Sequence, residues 1–504
     1  MMENIVIWPL AVHLFFSLIL MFGWKNIKFQ KNVTIIGNII SLAVAIYLFI
    51  FIYKNGTQTL AAGGWEAPFG IIFVSDLFAA TLVLLTAISG FAVSIFTVIS
   101  VMNARLRFGF FSVYHFLLLG LNGAFLTGDL FNLYVWFEII IISSFVLISI
   151  GGEKNQLEGA VKYFALNFMA SMIFLTGLGL LYGLTGTLNM ADLSIKIANV
   201  ENRSLVDICA VLFFVGFGIK SAVFPLYFWL PASYHTPPSA ISALFGGLLT
   251  KVGVYALIRV FTLIFIEDLF IQNLMLAIAF FTILSGAFGA LINNNLRKIF
   301  SYLIICHIGF ILGGLGIYTE IAIAGALFYL IHDIMVKTNI YLISGLIFRL
   351  KGNTNLKKLG NLYKDYPKIS VLIAIVLFSL VGVPPLSGFW PKISLFEAGF
   401  ANNNYWYIGA LTFGSLITLI IVSKIWAEAF WKNAKTLKPT KRFIQFDELR
   451  NLQKAQFVVP ILILAVFSLY IGFGAEHIQQ LASEIAHDLK NNQSYIDAVL
   501  KQEK

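Results

Sequence analysis

Apolar runs of about twenty residues follow one another along the chain, separated by short polar interruptions. A bilayer core about 30 Å thick needs about 20 apolar residues per helix. Fourteen runs meet that length: 4–22, 32–53, 74–100, 109–127, 129–150, 158–183, 206–227, 239–263, 270–292, 297–317, 320–347, 370–400, 405–431 and 455–475. The pattern predicts an all-α polytopic membrane protein. The apolar stretch 63–70 reads as a loop, and the tail from Glu476 stands apart. In that tail Leu481, Ile485 and Leu489 recur at helical spacing, which predicts an amphipathic helix at a solvated or interfacial end.

Charge orients the spans. Alternate interruptions hold the basic residues: Lys25, Lys28 and Lys31; Arg105 and Arg107; Arg297 and Lys298; Arg349 to Lys368; and Lys432 to Lys454. Basic excess marks cytoplasmic loops, so an even number of spans with both termini on the outer face is expected. The start, MMENIVIWPLAVHLFFSLILMF, lacks a basic n-region and a clear cleavage site and reads as a first spanning helix.

Composition agrees with a membrane protein: of 504 residues, 59% are hydrophobic and only 12% charged, with a mean hydropathy of +0.88. The net charge of +10 follows from the basic loops, so no nucleic acid is expected. Cys209 and Cys306 lie in apolar runs, which argues for buried thiols rather than a disulfide, a metal site or a cluster.

Two spans carry interior prolines in similar settings, Pro225-Leu-Tyr-Phe-Trp-Leu-Pro231 and Pro384-Pro385-Leu-Ser-Gly-Phe-Trp-Pro391. Proline removes an amide donor and disrupts the preceding turn, and in lipid the freed carbonyls must be met by protein or water. Broken helices at matching places in two halves point to a transport site between repeats. The chain then divides into 1–108, three N-terminal helices; 109–263, a first five-helix repeat; 270–431, a second, inverted five-helix repeat; and 432–504, a cytoplasmic loop, the last span and the tail. Each repeat puts its broken helix fourth.

Charges also fall at mid-membrane: Glu138, Lys220, Lys251, His332, Lys337 and Lys392. A charge at a helix centre costs about 2.5–3.5 kcal/mol even on the lenient insertion scale, a heavy burden unless it serves transport. A lysine between burial and a carboxylate can act as a proton switch. Static pairing of Glu138 with Lys220, or satisfaction of Lys251 and Lys392 by backbone carbonyls, is the structural alternative. Asp333 reads as a partner of Lys337, His332 and His307 read alternatively as satisfied core histidines, and Lys162 and Lys424 as snorkelling side chains.

The runs GAFLTGDLFNLYVWFE (123–138), GIKSAVFPLYFWLPASYHTPPSAISALFGGLLTKVGVYALIR (218–259) and GVPPLSGFWPK (382–392) resemble the antiporter-like subunits shared by respiratory complex I and Mrp-type multisubunit Na+/H+ antiporters. Chain length and the HDIMVKTN wording at 332–339 bring it nearer the Mrp group than the complex I relatives. The resemblance implies a 14-helix core with two inverted repeats, a glutamate–lysine pair at Glu138 and Lys220, a central lysine at Lys251 and a second half-channel lysine at Lys392. The family often has a histidine four positions before the residue matching Lys337, where this chain has Asp333. The resemblance further implies other membrane subunits as partners, of the Mrp A, B, C, E, F and G types, in a bacterial plasma membrane, with protons and Na+ as the ions moved; the chain itself offers no cofactor-binding motif, and no cofactor or metal is expected. Three functions stand at this point: proton translocation in a Na+/H+ antiporter, proton pumping in a redox complex, and a scaffold that buries ion pairs.

Overall fold

A computed structural model describes residues 5–266, 268–433 and 446–501. The stretch 434–445 of the expected basic loop and the last residues of the tail lie outside them. The crossings are α1 (Trp8–Phe22), α2 (Ile27–Asn55), α3 (Leu77–Ser100), α4 (Phe110–Leu126), α5 (Leu130–Ser149), α6 (Lys154–Thr185), α7 (Arg203–Ser221) continued by α8 (Trp229–Ser233), α9 (Ser239–Leu263), α10 (Leu269–Ile292), α11 (Leu296–Ile317), α12 (Glu320–Lys351), α13 (Pro367–Val381) continued by α14 (Trp390–Ala401), α15 (Tyr405–Trp431) and α16 (Asn451–Phe473). Among the described residues, twelve helices are long and apolar enough to cross a membrane. The shorter α4 and α13 complete the expected series.

The interruptions begin helices as their residue types require. Asp76 accepts from Ala79 N at the start of α3, Asp129 from Asn132 N at α5, Asn295 from Arg297 N at α11 and Thr319 from Ala322 N at α12. Each cap satisfies an amide that would otherwise face lipid or protein without a partner. Gly186 and Gly352 end α6 and α12 in the left-handed region, φ 70° and 69°, which glycine enters without steric cost.

The loops gather at two ends. At the basic end Arg105 pairs with Glu153, Arg297 donates to Pro237 O, and Lys351 pairs with Asp365. At the other end a hairpin that the hydrophobic pattern does not reveal, β1 (Gln58–Ala61) and β2 (Ile72–Ser75), pairs Gln58 with Ser75 and Ala61 with Ile72. Four residues per strand are too few to stand out from the apolar helix that follows.

The tail forms α17 (Ala475–Lys490) and α18 (Gln493–Leu500). It is helical as expected, but its apolar stripe is covered by this chain. Ile485 and Leu489 are buried, and α17 lies along α12. Lys490 donates to Tyr318 O, Asn492 to Thr262 O, and Thr59 of the hairpin to Ala498 O. The tail thus straps the hairpin end.

Helices α9, α11 and α12 are buried almost all round, whereas α2, α6 and α10 expose much of their surface. A helix apolar on every side belongs at the centre of a large bundle. The centre is where charge then has to be accounted for.

Candidate functional site

Helix α7 ends where Ala222 turns left-handed (φ 61°), and α13 ends where Gly382 does so (φ 85°). The closing bonds match residue for residue. Val223 N donates to Gly218 O and Ala222 N to Ile219 O; Val383 N donates to Phe378 O and Gly382 N to Ser379 O. This is the Schellman arrangement of two bonds around a left-handed residue. Pro225, Pro384 and Pro385 lie in the breaks, each break having one cis X-Pro peptide. Pro231 and Pro391 sit instead in the first turn of α8 and α14, where a missing amide is harmless, so they start helices rather than break them.

Side chains bind backbone carbonyls at each break, and the two breaks use different residues. Trp229 Nε1 donates to Ile219 O at 3.0 Å, while Lys392 Nζ donates to Val381 O at 2.6 Å. Lys392 also lies 5.7 Å from the Phe310 ring centroid. Satisfaction by a backbone carbonyl therefore describes the resting geometry of Lys392.

Lys220 donates to Ser171 Oγ at 3.0 Å and sits 4.5 Å over the ring of Phe137. Its expected partner is not in contact: no ion pair within 4.0 Å joins it to Glu138, whose Oε1 is buried without a hydrogen bond. Phe137 occupies the cation's face instead. Beside Lys220 a cavity of about 20 Å³ is lined by Asn167, Tyr163, Trp229, Tyr234, Val252 and Gly253 among others. That is room for a water, which needs about 10–15 Å³. A Cβ at Gly253 would lie 2.5 Å from Ser221 Oγ and 3.0 Å from the Lys220 carbonyl carbon, so α9 presses on the break at this glycine.

Lys251 follows a π-helical segment, Phe245–Leu249, of the kind often found at functional places. Its Nζ donates to Gly246 O at 2.9 Å and lies 2.8 Å from Asp333 Oδ2. Asp333 Oδ1 lies 3.3 Å from His307 Nδ1 and 3.7 Å from Lys337 Nζ. None of these four side chains is exposed. Lys337 donates to Leu303 O, and His307 Nε2 contacts Thr418 Oγ1 at 3.4 Å. The expected partnership of Asp333 with Lys337 is therefore the longest of three, and the carboxylate's closest cation is on another helix. A Cβ on Gly246 or Gly247 would strike the Tyr341 ring or Thr338 Oγ1; these glycines let α9 meet α12 at this level.

His332, adjacent to Asp333, points toward the second break, its Nδ1 2.8 Å from Ser387 Oγ. Helix α12 thus reaches toward Lys251 with one residue and toward the Lys392 break with its neighbour. Of the residues the sequence singles out, Lys251 and Lys337 come together, His332 and Lys392 flank the second break, and Lys220 and Glu138 remain apart. Asp333 and His307, which the sequence leaves as accessory, are central. Their signal is the one-turn spacing from Asp333 to Lys337. Lys162 pairs with Glu158, and Lys424 donates to Leu291 O and Asn293 O at the end of α10. Cys209 and Cys306 are buried free thiols.

The family model described as NADH:quinone oxidoreductase/Mrp antiporter, transmembrane, matches residues 127–418, the region from α5 to α15 just described. A curated relative, the D subunit of the Na(+)/H(+) antiporter of Alkalihalophilus pseudofirmus, is 42% identical over 99% of this chain and 100% of its own length. A chain of the Mrp complex from Dietzia sp. superposes with a TM-score of 0.90 at 25% identity, covering 99% of each chain. A chain of the archaeal membrane-bound sulfane sulfur reductase does so with a TM-score of 0.87 at 26% identity, again over 99% of each. The chain belongs to the NADH:quinone oxidoreductase/Mrp antiporter transmembrane family, on the branch formed by the D subunits of Na+/H+ antiporters.

Proposed function

We propose that this chain is the proton-translocating subunit of a multisubunit Na+/H+ antiporter, working within a hetero-oligomeric membrane complex. The observation that carries the reading is Asp333 held between Lys251 and Lys337 with no exposure to solvent. One anion shared by two cations stabilises one of them better than both. A proton leaving one lysine lets the carboxylate swing to the other. Lys220, with its water-sized cavity, feeds this centre from the α7 break, and His332 with Ser387 leads on toward Lys392 at the α13 break. Glu138, whose Oε1 has no partner in this arrangement, is the acceptor that Lys220 meets when the path is engaged.

The unit division 109–263 and 270–431 is part of this reading. It is supported by the matched break geometry, by π segments in both fifth helices, Phe245–Leu249 and Trp426–Trp431, and by the units starting at opposite ends of the bundle. The basic end is assigned to the cytoplasm, which puts the strapped hairpin end outside.

A redox-driven complex is the second reading, favoured by the likeness to the sulfane sulfur reductase chain. The full-length 42% identity to an antiporter subunit weighs more. The test expresses the whole operon and measures Na+-dependent proton movement in everted vesicles with Glu138, Lys220, Lys251 or Lys392 replaced singly. Each loss should occur with the complex assembled. Normal exchange by Lys220→Ala refutes its role, and loss only through failed assembly returns the chain to a scaffold.

A further inference from the structure

A second buried polar lane runs through the N-terminal helices, away from the lysines. On α2, Gln30, Thr34, Asn38 and Ser41 fall on one face and are each 2% exposed or less. Ser41 meets His13 of α1, Asn38 Oδ1 lies 3.2 Å from where a Cβ on Gly90 of α3 would be, and Ser17 of α1 meets Ser112 of α4 beside them. At the middle, His13 Nδ1 lies 3.0 Å from His115 Nδ1, and His13 Nε2 lies 2.9 Å from Ser41 Oγ. A Cβ on Gly37 would come within 3.0 Å of His115 Cε1, so these groups share one depth. Ser17 and Ser112 hydrogen-bond to each other at 3.0 Å.

Several polar atoms here have no protein partner although fully buried: Thr34 Oγ1, Thr86 Oγ1, Ser89 Oγ, His115 Nε2 and Asn122 Oδ1. Orphaned polar groups inside a membrane domain are costly unless water meets them. From Gln30 to Ser41 a helix rises about 16 Å, and from His115 to Asn122 about 10 Å. Because His115 lies level with Gly37, the two stretches overlap and together cover about 20 Å of a hydrocarbon core of about 30 Å. Thr86 and Asn122 lie toward the hairpin end, Gln30 and Thr34 toward the basic end.

The two facing Nδ1 atoms permit two hydrogen-bond states. In one, His115 Nδ1–H donates to His13, whose Nε2–H donates to Ser41 Oγ, and His115 Nε2 is bare. In the other, His13 Nδ1–H donates to His115, Ser41 O–H donates to His13 Nε2, and His115 Nε2 carries the proton. Only an imidazole, with one donor and one acceptor nitrogen, can interconvert in this way.

We propose that His13, His115 and Ser41 form a second proton relay, separate from the lysine chain. A proton taken from lane water at bare His115 Nε2 drives the Nδ1 proton across to His13 Nδ1. The His13 Nε2 proton passes to Ser41 Oγ, whose original hydroxyl proton leaves to water. One proton enters and one leaves, and the pair changes from the first state to the second. The lining suits a proton better than a hard cation, because imidazole nitrogens and hydroxyls, rather than carboxylates, fill the centre. Among the described residues the histidine–carboxylate ion pairs are at His307 and His487. The titratable neighbour of the pair is Tyr114, whose hydroxyl is committed to Gly90 O.

The test uses the complete complex in vesicles. His115→Phe keeps a ring against Phe16, which stacks on it at 5.9 Å, and should lower Na+-dependent proton movement at least fivefold at parental subunit levels. His115→Gln, which restores a hydrogen bond but cannot exchange tautomers, should be equally slow. Parental rates in His115→Phe, or rescue by His115→Gln, would overturn the relay in favour of a packing contact. Nitrogen-15 NMR of histidine-labelled parental protein reads the same point without substitution. Two exchanging tautomers at this pair support the relay, and one fixed tautomer overturns it.

Discussion

Replacing Asp333 by Asn tests the centre most directly, because it keeps the shape and removes the charge that two lysines share. Coulomb's law at an effective dielectric near 20 gives about 6 kcal/mol for the Lys251 contact at 2.8 Å and about 4.5 kcal/mol for Lys337 at 3.7 Å. Repulsion between the two lysines and the cost of desolvating the carboxylate offset much of that sum. Breaking a buried pair by deleting one partner costs about 3–5 kcal/mol net. If only about 3 kcal/mol of this is felt by the rate-limiting proton transfer, exchange falls about a hundredfold, since about 1.4 kcal/mol is tenfold. The assay is the Na+-induced collapse of a pH gradient in everted vesicles, followed with a fluorescent weak base, with subunit quantity and complex assembly measured in the same membranes. Asp333→Glu restores the charge one methylene further out and should recover part of the rate. Exchange by Asp333→Asn within threefold of the parent, at parental subunit levels, refutes the shared-carboxylate mechanism.

Other sites give independent tests. Gly253→Leu forces a side chain where a single Cβ already meets Ser221 and Lys220, and exchange should fall at least tenfold; Gly179→Leu, whose Cβ would meet open space, should exchange normally. Arg259 pairs with Asp76 and stacks 5.1 Å from the Tyr495 ring. Tyr495→Ala removes a contact of about 2 kcal/mol if desolvated, so the tail should become protease-sensitive, in right-side-out but not everted vesicles if the hairpin end is outside. His235, at the basic end, donates to Pro231 O, and burial, with Lys298 and Arg297 beside it, pushes its pKa down to about 4. The unfolded chain, near 6.5, binds that proton more readily, so stability is full above about pH 6.5 and is lost as pH falls toward 4. Thermal unfolding of the detergent-solubilised complex should show this slope, and His235→Asn should flatten it.

Hydropathy reveals the crossings because lipid imposes one length on every helix, and loop charge reveals their alternation. The short hairpin and the docking of the tail escape that reading, since neither follows from a period along one segment. The echo of Pro225 with Pro385 is legible, but its physical core is not. The paired elements are the left-handed residues Ala222 and Gly382 with their valines, and the prolines follow them. This changes what the lysines do. At the first break Trp229 donates to Ile219 O and leaves Lys220 to Ser171 and the cavity; at the second Trp390 donates to Gly472 O instead, and Lys392 itself binds Val381 O. The two breaks therefore differ, one lysine beside a water-sized cavity and one tied to backbone. In the path proposed above, a proton passes between them through the helix that faces both. Its neighbours Asp333 and His332 reach different partners, Lys251 and Ser387, so in that proposed path the adjacency that looks like an irregular substitution in the sequence is the link between the two breaks.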